Sequence, residues 1–564
     1  MAKNKKADQV RQLYDLANSW TRRQWEIINQ KGYDFAHDEQ LTRVEKNSLE
    51  DQGMPTFTIN RILPVVEMLN FYATAQNPRW QAIGVEGSDT DVAAVVSDLT
   101  DYIWNLSNGN TLYNNAINDS VTKGLGYILV SVDKDADNGM GEVKLQQPEP
   151  FDIYVDPKSR DMLFKDAAFI LIRKVLPKNH LIKLFPDYKL KISKSNSNEQ
   201  IQRSYSQKSY DSEQGLFSYN DSNEQTSMGI TVEGEMDDLC EFFELYEKIK
   251  VSYINLFYRI PPDKEQLKAI QQQCEVMLKE MEAELSVQLK EQDQKMQMAV
   301  QSGEMLPERY QLEMEKAQKM MQQQLQAYGQ ECMSKLQAEA SKIENQIITE
   351  KEFKILEKNP SIAKNIVDKV QFYDVRIKQT CLAGDKVLYE YVLPQTVKEY
   401  PVIPFHYKWT GTPYPMSAVA PLIGKQQEIN KAHQIMVHNA SLGSSLRWMY
   451  EEGSIDAELW EKYSASPGAL LPIRPGVERP TPVMPAPLAS AFFQIVQQGK
   501  GDMEYLAGIY SSMMGDSGGA SETYRGMLAL DEYGTRRIKQ WMGTSVEPAL
   551  KQLGQVVVQF GQAT

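Results

Sequence analysis

Five groups of residues in this sequence have types and spacings that could do chemistry, and each needs surroundings that the neighbouring residues either supply or withhold. Gly515-Asp-Ser517-Gly-Gly519 matches the GxSxG pattern of a nucleophile elbow. That motif needs a strand before it and a histidine after it; here a helical pattern precedes and no histidine follows His438. A hinge or cap between helices accounts for it. Gly424-Lys425-Gln426 lacks the upstream glycine and the hydroxyl residue of a phosphate-binding loop, and HExxH is absent. His433 and His438 are five residues apart, on different faces of a helix, and read as solvated rather than as a metal pair. Asp156 before Pro157 and Asp166 after Lys165 are imaginable cation ligands, but a turn ahead of a strand explains both. Cys240, Cys274, Cys332 and Cys381 form no CxxC pair and read as free thiols, mostly buried, of a reducing compartment. No catalytic residue, metal site or cofactor is expected.

The elements that would position any site begin with size and charge. A chain of 564 residues exceeds one core and predicts two to four structural regions. Its formal charge of −14 argues against tight sequence-independent DNA binding, in which basic side chains displace counterions. It leaves room for a protein past which DNA slides without sticking. The N-terminus has no apolar leader, and no run approaches the roughly 18 apolar residues of a membrane helix. A soluble protein made in the cytoplasm, without a membrane role, is expected. No solenoid-type period repeats.

Apolar spacing from Val10 through Leu13, Leu16, Ala17, Trp20 and Trp25 to Ile28 predicts an amphipathic helix in the first 35 residues. The extended stretch Met54–Asn60 leads into a helix with Ile62, Val65, Val66, Leu69 and Phe71 on its apolar side, stopped at Asn77-Pro78-Arg79. Residues 80–85 read as a strand, 91–105 and 112–123 as helices, and Gly124 and Gly126 as C-caps. Strands follow at 127–132, 143–148, 151–157 and 167–175, then a short helix at 180–185. Residues 193–235 turn polar and read as a long mobile loop. Apolar alternation returns at 243–246 and 251–258.

After Pro261-Pro262, apolar residues recur every three or four positions from Leu267 to Met296 and again from Met314 to Ile347, with a break at Ser302–Pro307. Two helices of roughly 35 to 40 residues in an antiparallel hairpin are expected, with a methionine-rich seam that includes Met277. Residues 370–381 and 386–393 form strands around Ala383-Gly384-Asp385, and Pro401–Trp409 is a proline-punctuated edge. Residues 421–441 form a helix with Leu422, Ile429, Ala432, Met436 and Ala440 on one side and Lys425, Lys431, His433 and His438 elsewhere. Five prolines make 474–487 a stiff loop with little hydrogen-bonding capacity. Helices are expected at 488–514 and from Ser521 onward.

Taken in order, several of these segments resemble the portal proteins of short-tailed phages. Pro55-Thr-Phe-Thr-Ile-Asn60 resembles their P-x-x-T-x-N entry to a second helix, which here ends at Asn77-Pro-Arg79. Gly124–Asp133 is similar to their hairpin start, and Pro150–Pro157 with Lys165-Asp-Ala-Ala and Leu184-Phe-Pro186 to the stretch that follows. Tyr400-Pro-Val-Ile-Pro-Phe405 resembles the family's iPivPv strand. Ala420–Asn430 resembles its v-x-D-x-Q-x-x-x-N helix, with Lys425 near a position where an acid is common, and Gly518-Gly-Ala520 its SG-x-A entry to a crown helix. The similarity covers most of the chain outside 193–235 and 262–350.

The resemblance implies an α+β portal fold: an α/β wing over 1–260, a β-containing clip over 355–410, a stem helix over 411–443, a wing return over 444–514 and a helical crown over 515–564. The hairpin over 261–354 departs from the family as an insertion, and a C-terminal barrel is missing. Loop 474–487 falls where similar portals carry a channel-narrowing tunnel loop. Further implied are a virion location, a twelvefold ring of identical subunits, and major capsid protein, a terminase packaging motor and head-tail adaptor or tail proteins as partners. Double-stranded DNA would pass through the channel. Candidate channel-facing residues are Lys425, Lys431, Arg474, Arg479, Thr481 and Met484. Two readings compete: a cytosolic coiled-coil scaffold without a DNA role, and an enzyme with a noncontiguous site.

Overall fold

The computed structural model describes residues 5–84, 89–195, 239–259, 264–301, 307–340, 343–358, 365–444, 447–464, 466, 468–483, 490–510, 513, 532 and 535–563. The fold is α+β. The chain divides into two compact units, Met1–Ile249 with Arg376–Thr564, and Lys250–Val375. In chain order the helices and strands are α1 (Lys5–Ala17), α2 (Trp20–Ala36), α3 (Arg43–Asp51), α4 (Ile62–Thr74), α5 (Thr90–Leu106), α6 (Gly109–Lys123), β1 (Leu125–Asp133), β2 (Glu142–Gln146), β3 (Ile153–Val155) and β4 (Phe169–Pro177). Then come α7 (Lys178–Leu184), α8 (Lys189–Ser193), β5 (Leu239–Arg259), α9 (Lys264–Gln301), α10 (Pro307–Ala340), β6 (Ile343–Thr349), α11 (Glu350–Leu356), β7 (Ile366–Ala383), β8 (Lys386–Val392) and β9 (Val402–His406). The last are α12 (Ile423–Ser444), β10 (Arg447–Met449), α13 (Ala457–Tyr463), β11 (Thr481–Val483), α14 (Ala491–Ala507) and α15 (Glu547–Gly561).

In the first unit, β1 is the middle of a three-stranded antiparallel sheet, between β2 and β9. The edge position of β9 suits Pro404, which has no amide hydrogen to lend a further strand. A second sheet runs β3-β4-β5-β7-β8, with nine antiparallel pairs from Phe169↔Glu247 to Pro177↔Leu239. The main core joins helices α4, α5 and α6, strands β1 and β9, and α15, through residues such as Val65, Ile117, Ile128, Ile403 and Val556. Gly124 caps α6 with φ +84°, as expected. Gly126 answers a different need. A Cβ there would lie 1.9 Å from the carbonyl oxygen of Ala116, so only glycine lets β1 approach α6 this closely.

Several expectations are corrected. The first 35 residues form two helices, not one, because Ser19 is an N-cap whose Oγ accepts from the Arg22 amide at 3.4 Å. Leu16, Trp20 and Ile28 are exposed, as is Phe71 on α4. Arg22 is buried instead, donating to the carbonyl oxygens of Phe151 and Ile153 at 2.7 and 3.3 Å and to Glu26 at 2.7 Å. Residues 80–84 are not a strand. Trp80 Nε1 donates to Leu550 O at 2.8 Å and the Ala82 amide to Ser97 Oγ at 2.9 Å, so side-chain and helix partners satisfy the segment instead of a sheet. The C-terminal helix runs 535–561 among the described residues, with a π turn over Met542–Val546. Pro548 lacks the N–H that would bond back to Thr544, and the register shifts there.

In the second unit, α9 and α10 form the expected antiparallel pair of 38 and 34 residues, about 57 and 51 Å long at 1.5 Å per residue. Tyr328 Oη donates to Met277 Sδ at 3.1 Å across it, although Met277 itself is exposed and Leu278 takes the seam. Ile343 and Ile347, expected to prolong the second helix, belong to β6, which pairs with β5 from Tyr253↔Thr349 to Arg259↔Ile343. A cluster of β-branched residues beside an open strand edge favours sheet over helix. Ile254, Leu256, Ile348 and Phe353 pack together there. The polar stretch from 196 to 235 lies outside the described residues. No described helix is long and apolar enough to cross a membrane.

His406 ties β9 to two distant segments. Its Nε2 donates to Met162 O at 2.6 Å, and its own carbonyl accepts from Trp541 Nε1 at 2.8 Å and Ser545 Oγ at 2.5 Å. Burial pulls the imidazole from 6.5 down to about 4, so the folded protein holds it neutral. A lowered pKa gives stability that is complete above pH 6.5 and lost as pH falls towards 4. Denaturation midpoints should drop across that window by a free energy on the order of 3 kcal/mol, and His406→Gln should flatten the pH dependence. Gly126→Ala should lower stability at all pH values by about 3 kcal/mol, read from the denaturant midpoint.

Candidate channel-lining segment

The candidate segment is α12 with the residues that follow it. A 3-10 turn over Ala420–Leu422 starts the helix, with Ser417 Oγ accepting from the Ala420 amide at 3.2 Å. Along α12 a polar stripe, Gln426, Asn430, Gln434 and His438, repeats every four residues and so lies on one face. The first three are buried. They face the extended stretch 53–61, which belongs to no sheet and must find partners for its peptide groups.

The stripe supplies them. Gln426 accepts from the Arg61 amide at 3.1 Å and donates to Ile59 O at 2.8 Å. Asn430 accepts from the Ile59 amide at 3.4 Å and from Gln426 Nε2 at 2.9 Å, and donates to Gln40 Oε1 at 2.6 Å. Gln434 donates to Phe57 O at 3.5 Å, and His438 Nδ1 lies 3.0 Å from Gly53 O. Asn60 closes the arrangement: its Oδ1 accepts from the Ile62 and Leu63 amides at 3.0 and 3.1 Å, capping α4, while its Nδ2 donates to Ala36 O at 3.0 Å. His438, expected to be solvated, thus has a backbone partner. The four-residue repeat of polar side chains was the signal that sequence reasoning passed over.

Leu422, in the turn before α12, and Ile429 and Ala432 on another face of it are buried as expected, whereas Ala440, expected on the same side, is exposed. A Cβ on Gly499 would come within 2.8 Å of Ile429 Cγ1, so α14 crosses α12 in close contact. Lys425 bridges the two helices, 3.0 Å from Glu428 and 2.9 Å from Asp502; hydrogen bonds to those carboxylates raise its pKa. His433 titrates below its ordinary value because it is desolvated and lies near Arg61 and Lys500. Lys431 is exposed beside Gln427 and Glu428.

The stiff proline loop expected at 474–487 is in part a strand, which pairs with residues that follow α12. β10 and β11 pair as Arg447↔Val483, Trp448↔Pro482 and Met449↔Thr481. Trp448 stacks edge-on against Trp460 at 5.3 Å, and Trp460 Nε1 donates to Pro472 O at 3.1 Å. The Arg474 amide donates to Ser454 O at 3.1 Å. Two tryptophans therefore clamp a ribbon whose prolines limit its backbone bonding. Arg474, Arg479 and Thr481 are exposed; Met484 lies outside the described residues. The structure puts Lys425 and Lys431 on one helix and Arg474, Arg479 and Thr481 on the ribbon, and no described hydrogen bond or ion pair joins the two sets. Six carboxylates (Glu451, Glu452, Asp456, Glu458, Glu461 and Glu478) outnumber Arg447, Lys462, Arg474 and Arg479 in this stretch.

No group of three or more His, Cys, Asp or Glu side chains able to hold a metal ion occurs among the described residues. Ser517 lies outside them. What the described arrangement offers is a helix stiffened on two faces, and an acidic, exposed ribbon beyond its end.

Among known families, the one described as phage P22-like portal protein matches residues 14–266 and 350–532, most of the chain. The matched stretches contain both the 53–61 segment and α12; the unmatched stretch between them is mostly α9 and α10. No curated protein matches the chain. Replacing Gln426 by Leu should leave the Arg61 amide and the Ile59 carbonyl without a partner, at about 1–3 kcal/mol. Hydrogen exchange at the Arg61 amide should rise, while amides of β1 keep their protection.

Proposed function

The chain belongs to the phage P22-like portal protein family, and from that premise we propose that it is one subunit of a ring set at a single capsid vertex. The ring's central channel would admit the genome during packaging, release it during ejection, and offer attachment sites to the packaging motor and the tail. The observation that carries this reading is the family match across both halves of the α12 contact: the segment that α12 holds, and α12 itself. In this assignment 1–260 is wing, 355–410 clip, 411–443 stem, 444–514 wing return and 515–564 crown. The role is structural, in the virion, without a catalytic step.

A conduit has to centre a duplex without trapping it. Affinity for DNA comes from cations that displace counterions from phosphates. Lys425 shares its ammonium with two carboxylates, so contact with a phosphate would gain little. Carboxylates of 451–478 would repel the duplex within a Debye length of about 10 Å at 0.1 M salt. Lys431, Arg474 and Arg479 remain exposed for weak, passing contacts with the backbone. The tryptophan-clamped ribbon at Thr481 would set the bore.

Electron microscopy of the purified chain, with native mass to count subunits, should give rings with a central hole and close to twelve copies. A dimer or trimer without a hole would instead support a coiled-coil scaffold. In particles carrying Thr481→Cys, labelling by a water-soluble maleimide should slow when DNA fills the channel. Equal labelling of full and empty particles would remove the ribbon from the channel.

A further inference from the structure

One side of α5 is apolar and faces solvent. Val92, Val95, Leu99, Tyr102 and Leu106 recur at alternate steps of three and four, which sets them in one file along the helix. Leu99 is half-buried beside Gly561, but Val92, Val95, Tyr102 and Leu106 are 63, 66, 56 and 40 % exposed. The core side of the helix is a different one, built on Thr100, Ile103 and Trp104. Asp91, Asp98 and Asp101 follow the border of the file, and no Lys, Arg or His occurs between Trp80 and Thr122. Of the elements packed on α5, β2 brings Glu142 and Lys144, and Lys144 is held by Asp133 at 2.7 Å. Arg79 and Lys551 flank the Trp80–Leu550 hydrogen bond beside Trp104, at the far end from Val92 and Val95. The Val92 end of the file is therefore acidic only.

Residues 178–194, which are α7, α8 and the turn between them, have the opposite charge. Leu184 and Leu190 are 53 and 76 % exposed. Around them Lys183, Lys189 and Lys194 are exposed, with no ion-pair partner among the described residues. Lys191 donates to the Val387 and Leu388 carbonyls at 3.1 and 3.0 Å. Asp187 is the one acid of the stretch, and on β8 alongside, Asp385 is matched by Lys386 at 2.6 Å. Other exposed apolar side chains of this unit share their helix with charges of both signs. Trp20 and Ile27 of α2 have Arg23, Glu26 and Lys31, and Phe493 and Tyr505 of α14 have Lys500, Asp502 and Glu504.

Lysines alone would suit the phosphates of a nucleic acid, but a phosphate backbone covers no leucine. Leucines set among lysines call for a partner that is apolar and acidic, and valines beside aspartates call for one that is apolar and basic. Each surface supplies what the other lacks. In one copy they are held by different elements: α5 packs on α6, β2 and α15, α7 on β4, and α8 on β8. We infer that the acidic, apolar side of α5 docks on the α7–α8 surface of a second copy. Because the contact joins two different patches, each copy offers one patch to each neighbour, as a closed ring requires. This rests on the ring proposed above.

Rings assembled from equal amounts of ordinary and nitrogen-15 protein, treated with a carbodiimide, test it. This reagent joins touching carboxylates and amines directly. Mass spectrometry should find amides between Asp91, Asp98 or Asp101 and Lys183, Lys189 or Lys194, with one peptide from each isotope. The variant K189E/K194E should give several-fold fewer rings than the ordinary chain, and adding D91K/D98K to it should restore them. Equal ring yields from all three chains would overturn the contact. So would rings of the ordinary chain in which these lysines link only within one isotope, to carboxylates of 196–238 or elsewhere, or not at all. Those outcomes leave the ring standing. Failure of the ordinary chain to form rings would overturn the ring, and the contact with it.

Discussion

An extended backbone outside a sheet has to be satisfied peptide by peptide, and residues 53–61 meet that constraint with the side chains of one helix. Gln426 and Asn430 present amides, which both donate and accept, so a single face of α12 serves N–H and C=O groups alike. The same contact fixes two other elements, α2 and α4. Asn430 reaches Gln40, whose side chain donates to Phe35 O at 3.2 Å near the end of α2, and Asn60 reaches Ala36 O while capping α4. From α4 the order passes into the main core through Val65 and Leu69. Buried amides are costly when unpaired. That cost makes the contact specific, since sliding the segment by one residue would unpair several groups at once.

How much of this was legible follows from what the residues say locally. The long helices, the β7–β8 hairpin and edge strand β9 were readable because period and proline placement act within a few residues. The half-turn break at Ser19 was not, because Leu16 and Trp20 keep helical spacing while facing solvent. Residues 80–85 read as a strand by composition, but the partners of Ala82 and Trp80 are Ser97 and Leu550, and the second of these is hundreds of residues away. On α12 the apolar face was found and the polar stripe missed, because glutamine and asparagine read as solvated unless their distant backbone partners are known. Residues 474–487 were read from their prolines alone; the tryptophan pair that clamps the ribbon they join depends on two residues twelve apart meeting in space.

Charge is arranged by the same economy of partners. Many of the buried or half-buried cations are already matched: Lys123 lies 3.0 Å from Asp119 and 2.8 Å from Glu149, Arg173 lies 2.8 Å from Glu241, and Lys378 lies 2.9 Å from Glu390. Acids exceed bases by 14 in the whole sequence, so pairing cations inward leaves the excess as carboxylates towards solvent. A surface of that sign keeps polyanions at a distance without any dedicated element.

The docking of Trp541 and Ser545 on the His406 carbonyl, and of Leu550 on Trp80, has a consequence in time. The core that α4, α6 and β1 begin is closed by β9 and then by α15, so its last wall is made more than 400 residues after its first. At roughly 5–20 residues per second of synthesis, the nascent chain waits on the order of a minute with that wall open. Until residue 560 has left the ribosome, the apolar sides of α4 and β1 are available to any holdase that binds exposed apolar surface. The arrival of α15 therefore marks the point at which the apolar sides of α4 and β1 are covered.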